Sequence, residues 1–347
     1  MNRLQWGCIE KIHPFFYKPT MLLIVFALAV SQLVSQSAAG ITGKADTSYS
    51  TYSAYTGTLK THPHIKVVSE FKFPSVTEKR NITYCSLGKR QLKLDAFYPK
   101  EKMRGGRTAI VIIHGGGWRS GNRTQHYPLA QRLADLGYVC FTPEYRLSTE
   151  ALFPAGVFDI KAAIRWVRKN ANQYAIDTTR IVAMGFSAGG EMAAFMGTTG
   201  NMPLFESTEC NTGISSAVNA VVDMDGTLSF VHPDGHEGDD SKRISAATHW
   251  FGYPKKDNPG LWEAASPLSY VSANTPPTLF INSSVPWMHA GRQDYIDVLN
   301  NHRIYSEVHP FDEAPHSFPL FHPWFDPTVK HIDGFLKKVF DKKLANN

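Results

Sequence analysis

Along the chain, short runs of consecutive apolar residues alternate with longer stretches whose apolar positions recur every three or four residues. The first pattern predicts buried strands and the second amphipathic helices. Ile82–Ser86 and Gln91–Tyr98 predict a hairpin around the turn Leu87–Arg90, and Ala109–Ile113, Tyr138–Thr142 and Ile181–Met184 predict three buried strands. Helices are predicted over Tyr127–Leu136, over Phe158–Gln173, from Ser187 through Met196 and over Pro327–Lys343. Further strands fall near Val218–Val222, Thr278–Ile281 and Tyr305–Val308, with a helix starting near Ala290. About eight strands, most separated by helices, predict an α/β fold: a mostly parallel sheet covered on both faces. Gly226–Tyr270 breaks the alternation. It is rich in His, Asp, Gly and Trp and reads as a lid insertion spanning about 226–270, because such sheets carry their insertions above the C-terminal strand ends.

Composition narrows the class. With 347 residues, 43% hydrophobic and 19% charged, the chain suffices for one α/β domain and its insertion, over 66–347. The N-terminus differs: Lys11 and Lys18 precede the uncharged run Met21–Val30, and Ser37 and Ala39 are the small residues of a cleavage site. Residues 1–39 are therefore expected to be a signal peptide, removed near Ala39, with the mature protein periplasmic or secreted. The apolar run is too short for a stable membrane span. Residues 40–65, rich in Ser, Thr, Tyr and Gly, read as a linker with little core of its own. Loss of Cys8 leaves Cys85, Cys140 and Cys210, hence at most one disulfide and one free thiol, Cys140 reading as a small buried hydrophobe. No cysteine or histidine spacing suggests a metal site. The net charge of +6 comes without a basic helix or stripe, so no nucleic-acid partner is expected.

Two glycine-rich motifs carry the chemistry. Gly185-Phe186-Ser187-Ala188-Gly189 is a G-x-S-x-G frame behind an apolar run, a nucleophile elbow that lifts the Ser187 hydroxyl clear of the backbone and turns the Ala188 N–H toward a developing oxyanion. About 70 residues upstream, His114-Gly115-Gly116-Gly117-Trp118 follows another strand. Consecutive glycines let main-chain amides approach a substrate, so Gly116 or Gly117 is expected to give the second oxyanion donor. His316 lies after the last predicted strand and before the closing helix, where the general base of such a site follows its nucleophile.

These residues resemble an α/β-hydrolase of the carboxylesterase and polysaccharide-esterase type, similar to bacterial acetylxylan, feruloyl and pectin acetylesterases, over about Lys66 to Leu344. Leu94–Pro99, the HGGGW motif, Pro143–Ser148, Phe153–Val167, GFSAGG and Pro315–Phe318 carry the resemblance. It implies a Ser-His-acid mechanism with no cofactor and no metal. One departure stands out: the family's acid usually follows the seventh strand, but this chain has Asn282, Ser283 and Ser284 before Val285-Pro286. Three carboxylates are candidates. Asp225 follows the sixth strand, a place from which some hydrolases of this fold supply the acid, Asp294 is the alternative later in the seventh-strand loop, and Glu313 precedes His316 by three residues.

Substrate contacts are expected from His114 and Trp118 beside the glycines and from Trp287, His289 and Arg292 after the seventh strand. Aromatic faces suit sugar rings or acyl chains, Trp324 being a further candidate, and a guanidinium suits a uronate. The function expected is a secreted serine esterase removing acetyl or other small acyl groups from polysaccharides such as pectin or xylan. A carboxylesterase or lipase on small or lipid esters is the alternative, and an inactive hydrolase-fold binding protein the second.

Overall fold

The computed structural model describes residues 40–340 apart from Lys102 and Arg104, so the expected signal peptide and positions 341–343 of the helix expected over Pro327–Lys343 lie outside the described part. Eight strands form one sheet: β1 (Val76–Leu87), β2 (Arg90–Pro99), β3 (Arg107–Ile113), β4 (Val139–Pro143), β5 (Ile176–Phe186), β6 (Ala220–Met224), β7 (Thr278–Asn282) and β8 (Ser306–Pro310). Their spatial order is β1-β2-β4-β3-β5-β6-β7-β8, with β1 and β2 antiparallel and every pairing from β4 to β8 parallel. The hairpin turns where the sequence places it: Leu87 pairs with Arg90, and Gly88 takes the positive φ of 58° that a two-residue turn needs.

Five main helices cover the sheet: α1 (Tyr127–Asp135), α2 (Ala155–Lys169), α3 (Ala188–Thr198), α4 (Arg292–Asn301) and α5 (Phe325–Phe340). Strand alternation divides the core. Ala109, Val111 and Ile113 of β3 pack with α2 and α3 on one face, whereas Ile110 and Ile112 pack with α1 and α5 on the other. Both sides are apolar because parallel strands carry helices on each face. A disulfide between Cys85 of β1 and Cys210 ties the hairpin to the loop after α3, and Cys140 is a buried free thiol.

The register decides where chemistry can occur. Ile113 pairs with Gly185, Phe186 with Met224, Met224 with Ile281 and Asn282 with Pro310. The residues following β3, β5, β6, β7 and β8 therefore emerge side by side at one edge, where ligand sites of such sheets lie.

Between β6 and β7 the chain makes the long excursion expected from its composition, with short helices at Ala246–Phe251 and Pro259–Ala264. Trp250, Phe251 and Trp262 anchor it in the core, each at most 1% exposed. The N-terminal segment differs from a loose linker. Thr42 and Gly43 donate to the Thr149 carbonyl at 2.8 and 2.9 Å, and Gly121 N–H donates to Asp46 at 3.0 Å. A helix over Thr51–Thr58, closed by a Ser50/Ser53 capping box, follows, and Lys66–Val67 then pairs with Phe321–His322. Composition hid this segment because the residues that anchor it, Ala54, Ile65 and Val68 with Tyr49, Tyr55 and Leu59 against the core, are scattered among Ser, Thr and Gly and form no apolar run.

Candidate active site

Ser187 sits between β5 and α3 with φ 56° and ψ −124°, a conformation that a non-glycine residue holds only when its surroundings force it. The neighbours do so. A Cβ on Gly185 would lie 1.9 Å from the Gly189 carbonyl oxygen, and one on Gly189 would lie 2.1 Å from that of Ile113, so neither glycine has room for a side chain. Ser187 N–H is fixed on the Met224 carbonyl at 2.8 Å. The Ala188 amide, first in α3, has no intrahelical acceptor and lies at the positive end of the helix dipole.

The glycine loop after β3 folds back against this elbow. Gly116 has φ 125° and Gly117 φ 59°, and a Cβ on Gly116 would meet the Ser120 carbonyl oxygen at 1.9 Å. Gly115 N–H donates to Gln125 Oε1 at 2.8 Å, so the free donor of the loop falls to Gly116 or Gly117. His114 and Trp118 lie behind the loop rather than on a substrate-facing wall, each only 2% exposed. The His114 ring stacks on Tyr145 at 4.5 Å and shares a hydrogen bond with the Gly115 carbonyl, and burial depresses its pKa to about 4. Trp118 stacks on Trp250 at 4.8 Å and donates Nε1 to Glu191 Oε2 at 2.9 Å. Motif position alone suggested substrate contact for both. Their packing instead makes them the support of the loop.

His316 reaches Ser187 Oγ through Nε2 at 2.9 Å and Asp225 Oδ2 through Nδ1 at 3.0 Å. The imidazole is 31% exposed, whereas the Asp225 carboxylate is fully buried. Asp225 leaves β6 with φ 55°, which turns its side chain back across the sheet edge, and its Oδ1 accepts from Ser283 N–H at 2.8 Å and Asn282 Nδ2 at 3.4 Å. The other two carboxylates are elsewhere. Asp294, in the first turn of α4, is 59% exposed and pairs with His232 at 3.2 Å, and Glu313 is exposed. A serine hydroxyl, an imidazole and a buried carboxylate in this order can transfer the hydroxyl proton to Nε2 while Nδ1–H stays on the carboxylate.

Sequence reasoning missed several supports. Glu191, fully buried in α3, receives the Trp118 indole, and desolvation pushes its carboxyl well above the usual range. Its signal was one acid in an otherwise apolar helix. Asp223 is likewise held high by burial, against the Gly226 amide. Glu237, in the excursion, is raised by burial while the charges of His316 and Lys255 pull it back, so a second carboxyl besides Asp225 lies within electrostatic reach of the histidine.

Trp287, His289 and Arg292 line a cleft of about 750 Å³ together with His232, His236 and Asp294. Trp287 stacks parallel on His236 at 5.7 Å and makes a flat wall. Trp324 lies away from it, 8% exposed and packed edge-on against His62. Burial lowers the pKa of His289 and of Arg292, and the neighbouring guanidinium adds to the lowering at His289. Among the described residues no group of His, Cys, Asp and Glu could hold a metal ion, and no helix is long and apolar enough to cross a membrane.

Comparison with known proteins points to esterases. The BD-FAE family model matches residues 94–286, more than half of the chain. Esterase LipQ of Mycobacterium tuberculosis is 34% identical over 198 residues, covering 55% of this chain and 45% of that protein. LipM of the same organism, named as a probable carboxylic ester hydrolase, is 28% identical over 306 residues, 84% of this chain and 68% of its own. The first relatives are thus matched over about half their length. Among solved structures, the butyrate-bound esterase Est2 of Thermogutta terrifontis superposes with a TM-score of 0.62 at 27% identity, over 77% of this chain and 95% of its own. A truncated carbohydrate esterase from gut microbiota has a TM-score of 0.65 at 24% identity, over 79% of this chain and 100% of its own, and shares the fold.

Proposed function

We propose, given that this chain belongs to the BD-FAE family of α/β-hydrolase esterases, that it is a serine esterase working through an acyl-enzyme. The observation that carries the reading is the continuous hydrogen-bonded run from Ser187 through His316 to buried Asp225. Ser187 attacks the ester carbonyl as His316 takes its proton, and the oxyanion that forms is held by the amides of Ala188 and of Gly116 or Gly117. Protonated His316 then delivers its proton to the leaving alcohol, and water activated by the same imidazole releases the acid. Asp225 keeps Nδ1 protonated and stabilises the imidazolium.

The substrate in this reading is an acetyl or other short acyl ester on a plant-type polysaccharide such as pectin or xylan. Its support is the shape and chemistry of the cleft: a flat Trp287–His236 wall beside imidazole and carboxylate groups suits the apolar face and hydroxyls of a sugar ring. The butyrate bound to the Thermogutta esterase favours a short acyl chain. A carboxylesterase on small esters is the second reading, favoured by the esterase names of the Mycobacterium relatives. Export through the N-terminal segment is part of the proposal, supported by the Cys85–Cys210 disulfide, which oxidising compartments preserve.

Acid release measured across acetylated pectin, acetylated xylan and p-nitrophenyl acetate and octanoate tests it. The expected outcome is turnover of the acetyl esters, with kcat/KM on at least one glycan at or above that on p-nitrophenyl acetate. Turnover confined to the p-nitrophenyl esters would leave the second reading, and no turnover in any arm, with Ser187 unlabelled by a fluorophosphonate, would overturn both.

A further inference from the structure

We infer that Asn282 and Arg292 form a positioning relay for the acid: Arg292 fixes the Asn282 side chain, and Asn282 with Ser283 holds Asp225 facing His316. The inference rests on the esterase reading above and assigns work to two residues outside the triad.

Asp225 has two oxygens to satisfy in a fully buried position. Oδ2 goes to His316, so unless Oδ1 finds donors of its own the carboxylate is free to rotate or to gain a proton, and either event releases the histidine. Two donors are present, both at the end of β7: the Ser283 amide at 2.8 Å and the Asn282 side-chain nitrogen at 3.4 Å. The second is conditional. A carboxamide presents a donor or an acceptor according to which way it is turned, and the wrong turn would set a carbonyl oxygen against the carboxylate. Arg292 removes that freedom. A guanidinium can only donate, and its Nη1 lies 2.5 Å from Asn282 Oδ1, so the amide must offer its NH2 group to Asp225.

The direction of Arg292 supports this role over that of a clamp for substrate carboxylates. One nitrogen is committed to Asn282, Nε is buried without a partner, and the charge acts on Asp223 and Asp225. The residue borders the cleft, but the hydrogen bond it makes is to Asn282.

The test uses the full-length enzyme with p-nitrophenyl acetate, a neutral ester that gives a guanidinium no carboxylate to grip. Asn282→Leu and Arg292→Met are each expected to lower kcat by about 10- to 100-fold with KM within about twofold, and the rate of Ser187 labelling by a fluorophosphonate should fall in parallel. Because the two act in series, the double variant should be no slower than Asn282→Leu alone, and Arg292→Lys, which keeps one charged donor, should recover kcat to within about threefold of wild type. Thermal unfolding identifies variants that fold; if Asn282→Leu does not, Arg292→Met and Arg292→Lys decide. The inference is overturned by a folded Arg292→Met with kcat within twofold of wild type, by a raised KM at unchanged kcat, or by multiplicative losses in the double variant. Ser187→Ala run alongside separates the two levels: if it retains turnover, the esterase reading itself fails, whereas if it is dead while the relay variants are active, only the relay is wrong.

Discussion

Asp225 and His316 are 91 residues apart in the chain and 3.0 Å apart between Oδ2 and Nδ1. The contact exists because β6 and β8 both border β7, so loops leaving their C-terminal ends meet across Asn282 and Ser283. A neutral amide at 225 would no longer hold the imidazole tautomer or balance its charge. Asp225→Asn should lower kcat about 10³-fold or more at unchanged melting temperature, while Asp294→Asn, whose carboxylate is exposed and paired with His232, should stay within about threefold. Steady-state hydrolysis of p-nitrophenyl acetate measures both, and equal effects of the two would remove the assignment of the acid.

Gly116 has a measurable steric role. With φ at 125° and the Ser120 carbonyl 1.9 Å from where a Cβ would stand, alanine there must move the loop that carries an oxyanion donor. Gly116→Ala should cost about 10²- to 10³-fold in kcat, the scale of losing one such donor. A variant that folds and turns over within threefold of wild type would show that the loop has slack.

Acid should weaken the fold through two histidines. Burial holds His114 near pH 4 and His126 near pH 3, against 6.5 when exposed. Below pH 6.5 the unfolded chain therefore binds protons that the native state refuses, so their contribution is intact above that value and is lost as the pH falls. Glu191 and Asp223, held high by burial, act in the opposite sense: their share grows as the pH drops. His126 has both ring nitrogens buried without partners and meets Phe186 edge-on at 6.0 Å, so His126→Phe isolates one term. Between pH 7 and 5 it should lose about 2 kcal/mol less stability than wild type, read from urea unfolding at the two values. Parallel losses in both proteins would mean that His126 is charged in the native state.

Reducing the Cys85–Cys210 bridge should act on stability rather than on turnover. It closes 125 residues between the hairpin and the loop after α3, so Cys85→Ser with Cys210→Ser should cost about 2–5 kcal/mol with kcat at 25 °C changed less than twofold. Chemical unfolding paired with initial rates checks both halves. An unchanged midpoint would show that the hairpin is held by its strand pairing alone.

The sheet and the two glycine motifs were readable because each rests on local pattern: apolar runs of strand length, and glycines where the backbone must cross another chain closely. Strand ends differ from expectation by a few residues, as at β5, which starts at Ile176 through pairing with Arg107 where the apolar run starts only at Ile181. His316 was legible from its order in the chain. The acid was only one of three, because what distinguishes Asp225 from Asp294 is the neighbouring strand's register, and that is absent from local composition. Trp118 misled for a related reason: an indole beside a glycine loop can face either way, and Glu191, 73 residues on, draws it inward.

The segment from Gly40 to Val68 has a consequence beyond its own packing. Tyr49 lies against Gly116, its Cδ1 3.4 Å from the space a Cβ would take, and Thr58 Oγ1 is 3.0 Å from the hydroxyl of Ser317, next to the general base. One peptide thus laces together the two loops flanking the nucleophile, anchored in the core by Ala54, Ile65 and Val68 and otherwise largely exposed. On warming, this lacing should come undone before the sheet does, so the enzyme should fall silent several degrees below the temperature at which its core melts.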